Sequence, residues 1–160
     1  EHRSVLNACH ALEQTDIEVT YLPVNATGVV EVTSIDDAIK PHTKLVSIML
    51  ANNEIGTVQP VEEIGRLLKS KGVLFHTDAV QAVGHIPVDV SRLGVDFLTA
   101  SAHKFNGAKG IGILYKQSGI NLSPVVFGGE QERGASCRNR ECRWNCFGGL
   151  RYRGKYQLDG

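Results

Sequence analysis

The sequence has no excess of charge of either sign, no long apolar run and few aromatic residues. Its 17 basic and 17 acidic residues give a formal net charge of zero, which excludes a whole-chain basic field for binding nucleic acid. No apolar run approaches the roughly 20 residues of a membrane span, and "EHRSVLNACH" contains no apolar segment of a signal peptide. These absences predict a soluble cytoplasmic protein that binds neither nucleic acid nor a membrane.

Glycine-rich nucleotide motifs are also missing. The chain contains neither a GxGxxG pattern nor a P-loop, so a nucleotide site is not expected. The 160 residues are 42% hydrophobic, which is ordinary for one folded domain. Because the sequence does not begin with Met, we expect it to be a fragment of a longer protein.

Apolar patterns with the period of strands alternate with patterns of helical period. Strands are expected over residues 17–24, 44–51, 73–80, 95–102 and 110–117. Helices are expected over residues 33–40, capped by Thr33 or Ser34, over 61–72, closed by Gly72, and over 88–94. This alternation predicts an α/β fold with a mostly parallel sheet flanked by helices.

Polar clusters follow three successive predicted strands. "ANNEIG" ends the first, "HTDAVQ" the second and "SAHK" the third. In parallel sheets, functional residues collect beyond the carboxyl ends of the strands. We therefore expect the three clusters to meet along one edge of the sheet.

The residue types in these clusters suit pyridoxal phosphate. A partly desolvated lysine such as Lys104 can form a covalent link to an aldehyde, and Asp78 can pair with a protonated ring nitrogen. Two amides can contact the phenolic oxygen, and a hydroxyl and an imidazole can bind the phosphate, namely Gln81, Asn53, Ser101 and His103. The pattern predicts a pyridoxal phosphate site.

Other interpretations of the same residues remain open at this point. Lys104 is also compatible with a solvated surface position, and Asp78 with a turn. His76, Asp78 and His103 together are a candidate metal site.

Four segments carry a resemblance to a known family. They are "LVSIMLANNEIGTVQPVEEI", "FHTDAVQAVGHIPVDV", "DFLTASAHKFNGAKGIGILY" and "GGEQERG". They closely resemble NifS-like cysteine desulfurases, which belong to the class V aminotransferases, pyridoxal phosphate enzymes of fold type I. The resemblance covers about residues 1–134 and implies part of the cofactor-binding large domain.

The resemblance also implies roles for single residues. Lys104 resembles the Schiff-base lysine and Asp78 the partner of the ring nitrogen. The other cofactor contacts implied are the phenolic oxygen for Gln81, the cofactor and substrate carboxylate for Asn53, and the phosphate for Ser101 and His103. "EHRSV" resembles the family's "TEHxAV", so His2 is expected to stack on the ring and to assist proton transfer.

The reaction implied converts L-cysteine to L-alanine and leaves the sulfur on an enzyme cysteine as a persulfide. A homodimer, a sulfur-acceptor protein and iron–sulfur cluster assembly are implied with it. A selenocysteine lyase or another class V enzyme shares the scaffold and remains an alternative. Because the family's N-terminal segment, its cysteine-bearing loop and its small domain are missing, we expect little or no activity from this chain alone.

The sequence changes character after Gly134. Residues 135–160 hold six basic residues, two acidic residues and three of the four cysteines. One DNA encoding of "GASCRNRECRWNC", with a single G deleted from its opening run, translates as "GLRAGTENVAGIV", which resembles the family's continuation "LRAGTENVAGIVG". We predict a frameshifted, poorly ordered tail over residues 135–160. A non-enzymatic fragment that binds a metal or partner through Cys137, Cys142 and Cys146 is the alternative.

Overall fold

The computed structural model describes residues 1–123 together with the backbone of 151–153 and 157–159. In the first of these ranges, helices and strands follow one another in the order α1 (Arg3–Leu12), α2 (Val32–Ala38), β1 (Leu45–Ser47), α3 (Val61–Lys71), β2 (Leu74–Asp78), α4 (Val90–Leu93), β3 (Phe97–Ser101) and β4 (Gly112–Lys116). Two short strands, β5 (Arg151–Arg153) and β6 (Gln157–Asp159), pair with each other in antiparallel fashion. The predicted boundary at Gly134 and the three tail cysteines lie outside the described residues.

The four strands β1 to β4 form one sheet in sequence order. β1 and β3 pair with β2 in parallel, with Ser47 opposite His76 and Thr99 opposite Asp78. β4 pairs with β3 in antiparallel fashion. The expected mostly parallel sheet is therefore confirmed, with an antiparallel strand at one edge.

The hydrophobic core lies between this sheet and α2 and α3. In α3, Val61, Ile64 and Leu68 are at most 1% exposed, because their spacing places them on one face of the helix. They contact the same core cluster as Phe75 of β2 and Leu98 of β3. One face of the sheet is thus covered by apolar helix surface.

Local signals fix the ends of α3 where the sequence predicts them. Pro60 precedes the helix, and Gly72 closes it in the left-handed conformation with φ of 68°. The Gly72 amide donates to the carbonyls of Leu68 and Lys69, which otherwise lack partners at a helix end. α4 is likewise capped, because Asp89 accepts from the amides of Ser91 and Arg92.

Two sequence expectations about local structure are wrong. Residues 17–24 do not form a strand: they run beside no partner strand in the described part of the chain, and Ile17, Tyr21 and Val24 are about half exposed. α2 begins after Glu31, which makes no side-chain cap, so neither Thr33 nor Ser34 is its N-cap.

β1 is shorter than its apolar run suggests. It ends at Ser47, although the amides of Ile48 and Leu50 still donate to the carbonyls of His76 and Asp78 at 3.1 and 2.8 Å. The chain therefore stays beside β2 as far as the first polar cluster. None of the helices described here is long and apolar enough to cross a membrane.

Candidate active site

The three polar clusters meet at a cavity of about 350 Å³ beyond the carboxyl ends of β1, β2 and β3. The start of α1 closes the same cavity. Its lining contains all seven residues that the sequence singles out, namely His2, Asn53, Asp78, Gln81, Ser101, His103 and Lys104. Residues separated by about one hundred positions in the chain are thus brought into a single site.

Asp78 is the buried acid of the cavity. It is the last residue of β2 and is 7% exposed. Its Oδ1 accepts from the Val80 amide at 2.9 Å, whereas no group in the described residues donates to its other carboxylate oxygen. A buried carboxylate oxygen without a donor is costly, so this oxygen has capacity for a cationic or N–H ligand. The turn that follows places Gln81, half-buried, on the same wall.

Lys104 lies in a tight turn directly after β3. Residues Ala102–Phe105 form a 3₁₀ turn, which Asn106 ends in the left-handed conformation with φ of 64°. The Gly107 amide donates to the carbonyl of Ala102 at 2.8 Å. A Cβ on Gly107 would lie 2.9 Å from that same oxygen, so the close return of the chain requires glycine. The turn holds the lysine at the strand end with its side chain exposed to the cavity.

Ser101 and His103 lie next to Lys104 and contact each other. Ser101 Oγ and His103 Nδ1 are 2.9 Å apart. Ser101 is half-buried and His103 is exposed. A hydroxyl beside an imidazole can bind a phosphate, because the Ser101 hydroxyl can donate to a phosphate oxygen while it accepts from the N–H at Nδ1 of His103.

A short loop presents Asn53 on the opposite side. Asn52 Oδ1 accepts from the amides of Glu54 and Ile55 at 2.9 and 3.0 Å, and an isolated bridge joins Ala51 to Val58. The Asx-type turn at Asn52 and the bridge between Ala51 and Val58 fix the conformation of the loop that carries Asn53. The side chain of Asn53 is exposed at the cavity.

His76 lies outside any metal-ligating cluster in the part of the chain that the structure describes. Within the described residues, no group of three His, Cys, Asp or Glu side chains is placed to hold one ion. Both ring nitrogens of His76 have partners on neighbouring strands: Ser47 Oγ at 2.8 Å and Thr99 Oγ1 at 3.1 Å. Burial lowers the pKa of His76, and the nearby Asp78 partly opposes this shift.

A larger cavity of about 490 Å³ lies at the opposite, amino-terminal edge of β1 and β2. None of the predicted site residues lines it. Two of its lysines are already paired, Lys40 with Glu18 and Lys71 with Asp36. The size of a cavity does not by itself indicate a reaction, and the predicted site residues line the smaller one. The smaller cavity is therefore the candidate active site.

Sequence reasoning missed three residues that also line the site, namely Ser4, Met49 and Val80. Met49 lies in the apolar run that leads to the first polar cluster, and its amide donates to Glu1 at 2.6 Å. Val80 lies inside "HTDAVQ". Ser4 follows His2 by two residues, and this closeness to a predicted site residue is the signal that the sequence offered.

The donor set of the cavity fits pyridoxal phosphate. Lys104 offers an amine, Asp78 a buried carboxylate with a free oxygen, and Ser101 with His103 a hydrogen-bonded pair that can bind a phosphate. These groups follow different strands and line one cavity. Pyridoxal phosphate carries polar groups at several positions of its ring, so its binding requires partners on more than one side.

Comparison with known proteins identifies the family of the chain. Residues 1–145 match the family of class-V aminotransferases. The chain is 51% identical over 133 residues to cysteine desulfurase IscS of Methanosarcina thermophila, covering 83% of this chain and 33% of that protein. It is 53% identical over 136 residues to the mitochondrial cysteine desulfurase of Arabidopsis thaliana, covering 84% of this chain and 30% of that one. The chain thus spans about a third of the length of the curated relatives it matches.

Solved structures show the same fold. A structure described as SspA in complex with cysteine superposes with a TM-score of 0.87 at 40% identity, covering 90% of this chain and 42% of that one. A NifS-like protein superposes with a TM-score of 0.85 at 43% identity, covering 88% and 39%. Together with the family match, these similarities support the resemblance found in the sequence: the chain belongs to the class-V aminotransferase family and is similar to NifS-like cysteine desulfurases.

Proposed function

We propose that this chain is the cofactor-binding part of a pyridoxal phosphate-dependent cysteine desulfurase. The observation that carries the proposal is the cavity in which Lys104, Asp78 and five further polar side chains converge. The reaction converts L-cysteine to L-alanine and transfers the sulfur to an enzyme cysteine, whose thiol becomes a persulfide. Its relatives bear the name cysteine desulfurase, which favours cysteine over selenocysteine as the substrate.

Each residue has a defined task in this proposal. Bound pyridoxal phosphate supplies an electron-withdrawing ring that stabilises negative charge at the substrate α-carbon. Lys104 provides the amine that attaches it, and the buried Asp78 keeps its ring nitrogen protonated. Ser101 and His103 bind its phosphate. Gln81 binds the phenolic oxygen, Asn53 orients the substrate carboxylate, and His2 moves a proton.

The substrate and partners are proposed from the same similarity. A related structure contains cysteine, as its description states, and the small polar cavity here accommodates a ligand of that size. We propose that the protein acts as a homodimer and passes sulfur to an acceptor protein. Relatives include archaeal, bacterial and mitochondrial proteins, so the cytoplasmic location stays a prediction.

We further propose that residues 1–134 are the native part of the domain and that residues 135–160 are translated out of frame. The curated relatives match over 132 to 136 residues, which supports a change of sequence near Gly134. The family match extends past this boundary, to residue 145. Sequencing the source DNA tests this proposal. A run shorter by one G at Gly134 would indicate a sequencing slip, and a run of the present length with no full-length relative beside it would indicate a decayed gene. A family of proteins that carry this same tail would refute the proposal.

Absorbance of added pyridoxal phosphate tests the cofactor site. We expect the 160-residue chain to give a new visible band on binding, and Lys104→Ala to abolish it because the amine that attaches the cofactor is gone. Lys109→Ala is the matched control: Lys109 is an exposed lysine in the same loop that does not line the cavity. Equal bands in the parent and in Lys104→Ala, or loss in both variants, would contradict the proposed site.

A further inference from the structure

The turn that carries Lys104, residues 102–107, contains the one Asn–Gly pair of the sequence, Asn106 and Gly107. Asn106 is exposed and ends the 3₁₀ turn with φ of 64° and ψ of 15°. Among the residues that the structure describes, it is the one residue other than glycine with a positive φ. The pair thus lies at a solvent-accessible point in an uncommon backbone conformation, two residues after the lysine of the cavity.

An asparagine followed by glycine can lose its side-chain amide to attack by the backbone. The Gly107 nitrogen bonds to Cγ of Asn106 while its proton passes through water to the departing Nδ2, the Cγ–Nδ2 bond breaks, and ammonia leaves a cyclic imide behind. Water then opens the imide to aspartate or to isoaspartate, whose backbone runs through Cγ. In sum, one amide and one water become one carboxylic acid and one ammonia, without oxidation or reduction. Glycine favours the attack because it has no Cβ to hinder it.

The folded turn keeps the two reacting atoms apart. A ψ of 15° nearly eclipses the Gly107 nitrogen with the nitrogen of Asn106 itself, so the attacking atom is turned away from Cβ and the side chain. The Gly107 N–H also donates to the Ala102 carbonyl at 2.8 Å, which holds the proton that the attack must release. The reaction therefore requires the turn to open.

Contacts on both sides of Asn106 resist that opening. Ala102 is 4% exposed, and its amide donates to the Ile111 carbonyl at 3.1 Å. Phe105 packs against the hydrophobic core and lies so close to Gly84 that a Cβ there would come within 2.5 Å of it. The frequency of local opening thus sets how often the backbone nitrogen is free to react.

We propose that Asn106 is a deamidation site controlled by the turn that carries Lys104: ammonia is lost only when the turn opens, and the isoaspartate product prevents the turn from closing again. Isoaspartate adds a carbon to the backbone just before Gly107. A Cβ on Gly107 would already lie 2.8 Å from Ala102 Cβ and 2.9 Å from its oxygen, so the turn has no room for a longer backbone. Modification therefore displaces Lys104 from the cavity.

Peptide mass mapping of the full 160-residue chain tests the control by the turn. The native chain and the chain unfolded in guanidinium chloride are aged at the same mildly alkaline pH, and conversion of amide to acid is followed at each asparagine. We expect Asn106 to react first in the unfolded chain and about tenfold more slowly in the native chain, because the native reaction waits for local opening. Equal rates in the two states, or faster conversion of another asparagine in the unfolded chain, would overturn the proposal.

Two variants separate the added backbone atom from the added charge. In the aged native chain, the Gly107 amide should exchange its hydrogen faster in proportion to the isoaspartate content. Asn106→Asp carries the charge without the extra atom and tolerates the left-handed conformation, so it should exchange like the fresh parent. Asn106→Gly cannot deamidate and should not change on ageing. Fast exchange in fresh Asn106→Asp, or in aged Asn106→Gly, would contradict the role of the lengthened backbone.

The effect of pyridoxal phosphate rests on the proposed function and keeps the two proposals distinct. Cofactor attached to Lys104 should hold the turn closed and slow the conversion of Asn106 in the parent but not in Lys104→Ala. A Lys104-dependent absorbance band without this slowing would overturn the link between the turn and Asn106 while supporting the cofactor site. A native chain that protects Asn106 but gives no band would overturn the proposed function while supporting the deamidation site.

Discussion

The two faces of the sheet are built from alternate residues of the same strands but do different work. In β2, Phe75 and Thr77 are at most 1% exposed and face the helices, whereas His76 and Asp78 belong to the other face. β3 repeats the pattern, with Leu98 buried among the helices. The comparison teaches that stability and chemistry are separated by a single residue step along a strand, because successive side chains point to opposite faces.

The largest effect is expected from a substitution on the face of the sheet that the helices cover. Phe75→Ala should lower the free energy of unfolding by about 3–5 kcal/mol, because it opens a cavity in the core. Phe97→Ala on the other face is the matched control: its ring is half-buried, so the loss should be less than half as large. Urea unfolding measures both. Equal losses would contradict the division between the two faces.

A second variant acts where the core meets the active site. Gly84 has φ of +83°, and a Cβ there would lie 2.5 Å from Phe105 Cβ. Gly84→Ala should cost about 2–4 kcal/mol through backbone strain and overpacking. It should also weaken binding of pyridoxal phosphate, because Phe105 follows Lys104 in the same turn.

Gly119→Ala serves as the control for Gly84→Ala. Gly119 has a similar φ of +89° but open space around it, so only the backbone strain of about 1 kcal/mol should remain. Urea unfolding and an absorbance titration with pyridoxal phosphate measure the two effects. If Gly119→Ala weakens cofactor binding as much as Gly84→Ala, then contact with Phe105 does not position the lysine.

The smallest effect is expected on the cavity-side face of the sheet, where the stability contributed by His76 depends on pH. Burial lowers the pKa of His76 in the folded chain, while Asp78 acts in the opposite direction. The unfolded chain therefore takes up this proton first, so the stability that neutral His76 contributes is present above pH about 6.5 and is lost as the pH falls below it.

His76→Gln removes this titration and keeps a polar side chain between Ser47 and Thr99. Its unfolding free energy should fall less steeply than that of the parent as the pH is lowered from neutral. His85→Gln changes an exposed histidine and should keep the parent slope. Urea unfolding across this range measures the difference, and parallel curves for the parent and His76→Gln would show that His76 is not the titrating group.

Much of this fold can be predicted because local and global signals agree. α3 has helical apolar spacing, acidic residues at its start and glycine at its end, and the structure places it where these signals indicate. Segment 17–24 also has an alternating apolar pattern but finds no partner strand among the described residues. An apolar pattern does not show whether a segment has a neighbouring strand with which to form hydrogen bonds.

The site is predictable in its membership but not in its internal bonds. Three polar clusters at strand ends indicate a shared edge, because parallel topology forces those ends together. The N-cap of α1, in which the His2 ring accepts from the Ser4 amide, could not be foreseen, since histidine is not a usual capping residue. Nor could the sequence indicate that both nitrogens of His76 are occupied by Ser47 and Thr99, because those contacts depend on strand register.

The central claim is that Lys104 attaches pyridoxal phosphate at the polar edge of the sheet. Borohydride reduction of the chain with bound cofactor makes that attachment permanent, and peptide mass mapping then locates it. The account predicts one modified residue, Lys104, with Lys109 and the lysines of the amino-terminal edge unmodified. Modification spread over exposed lysines, or its persistence in Lys104→Ala, would contradict it.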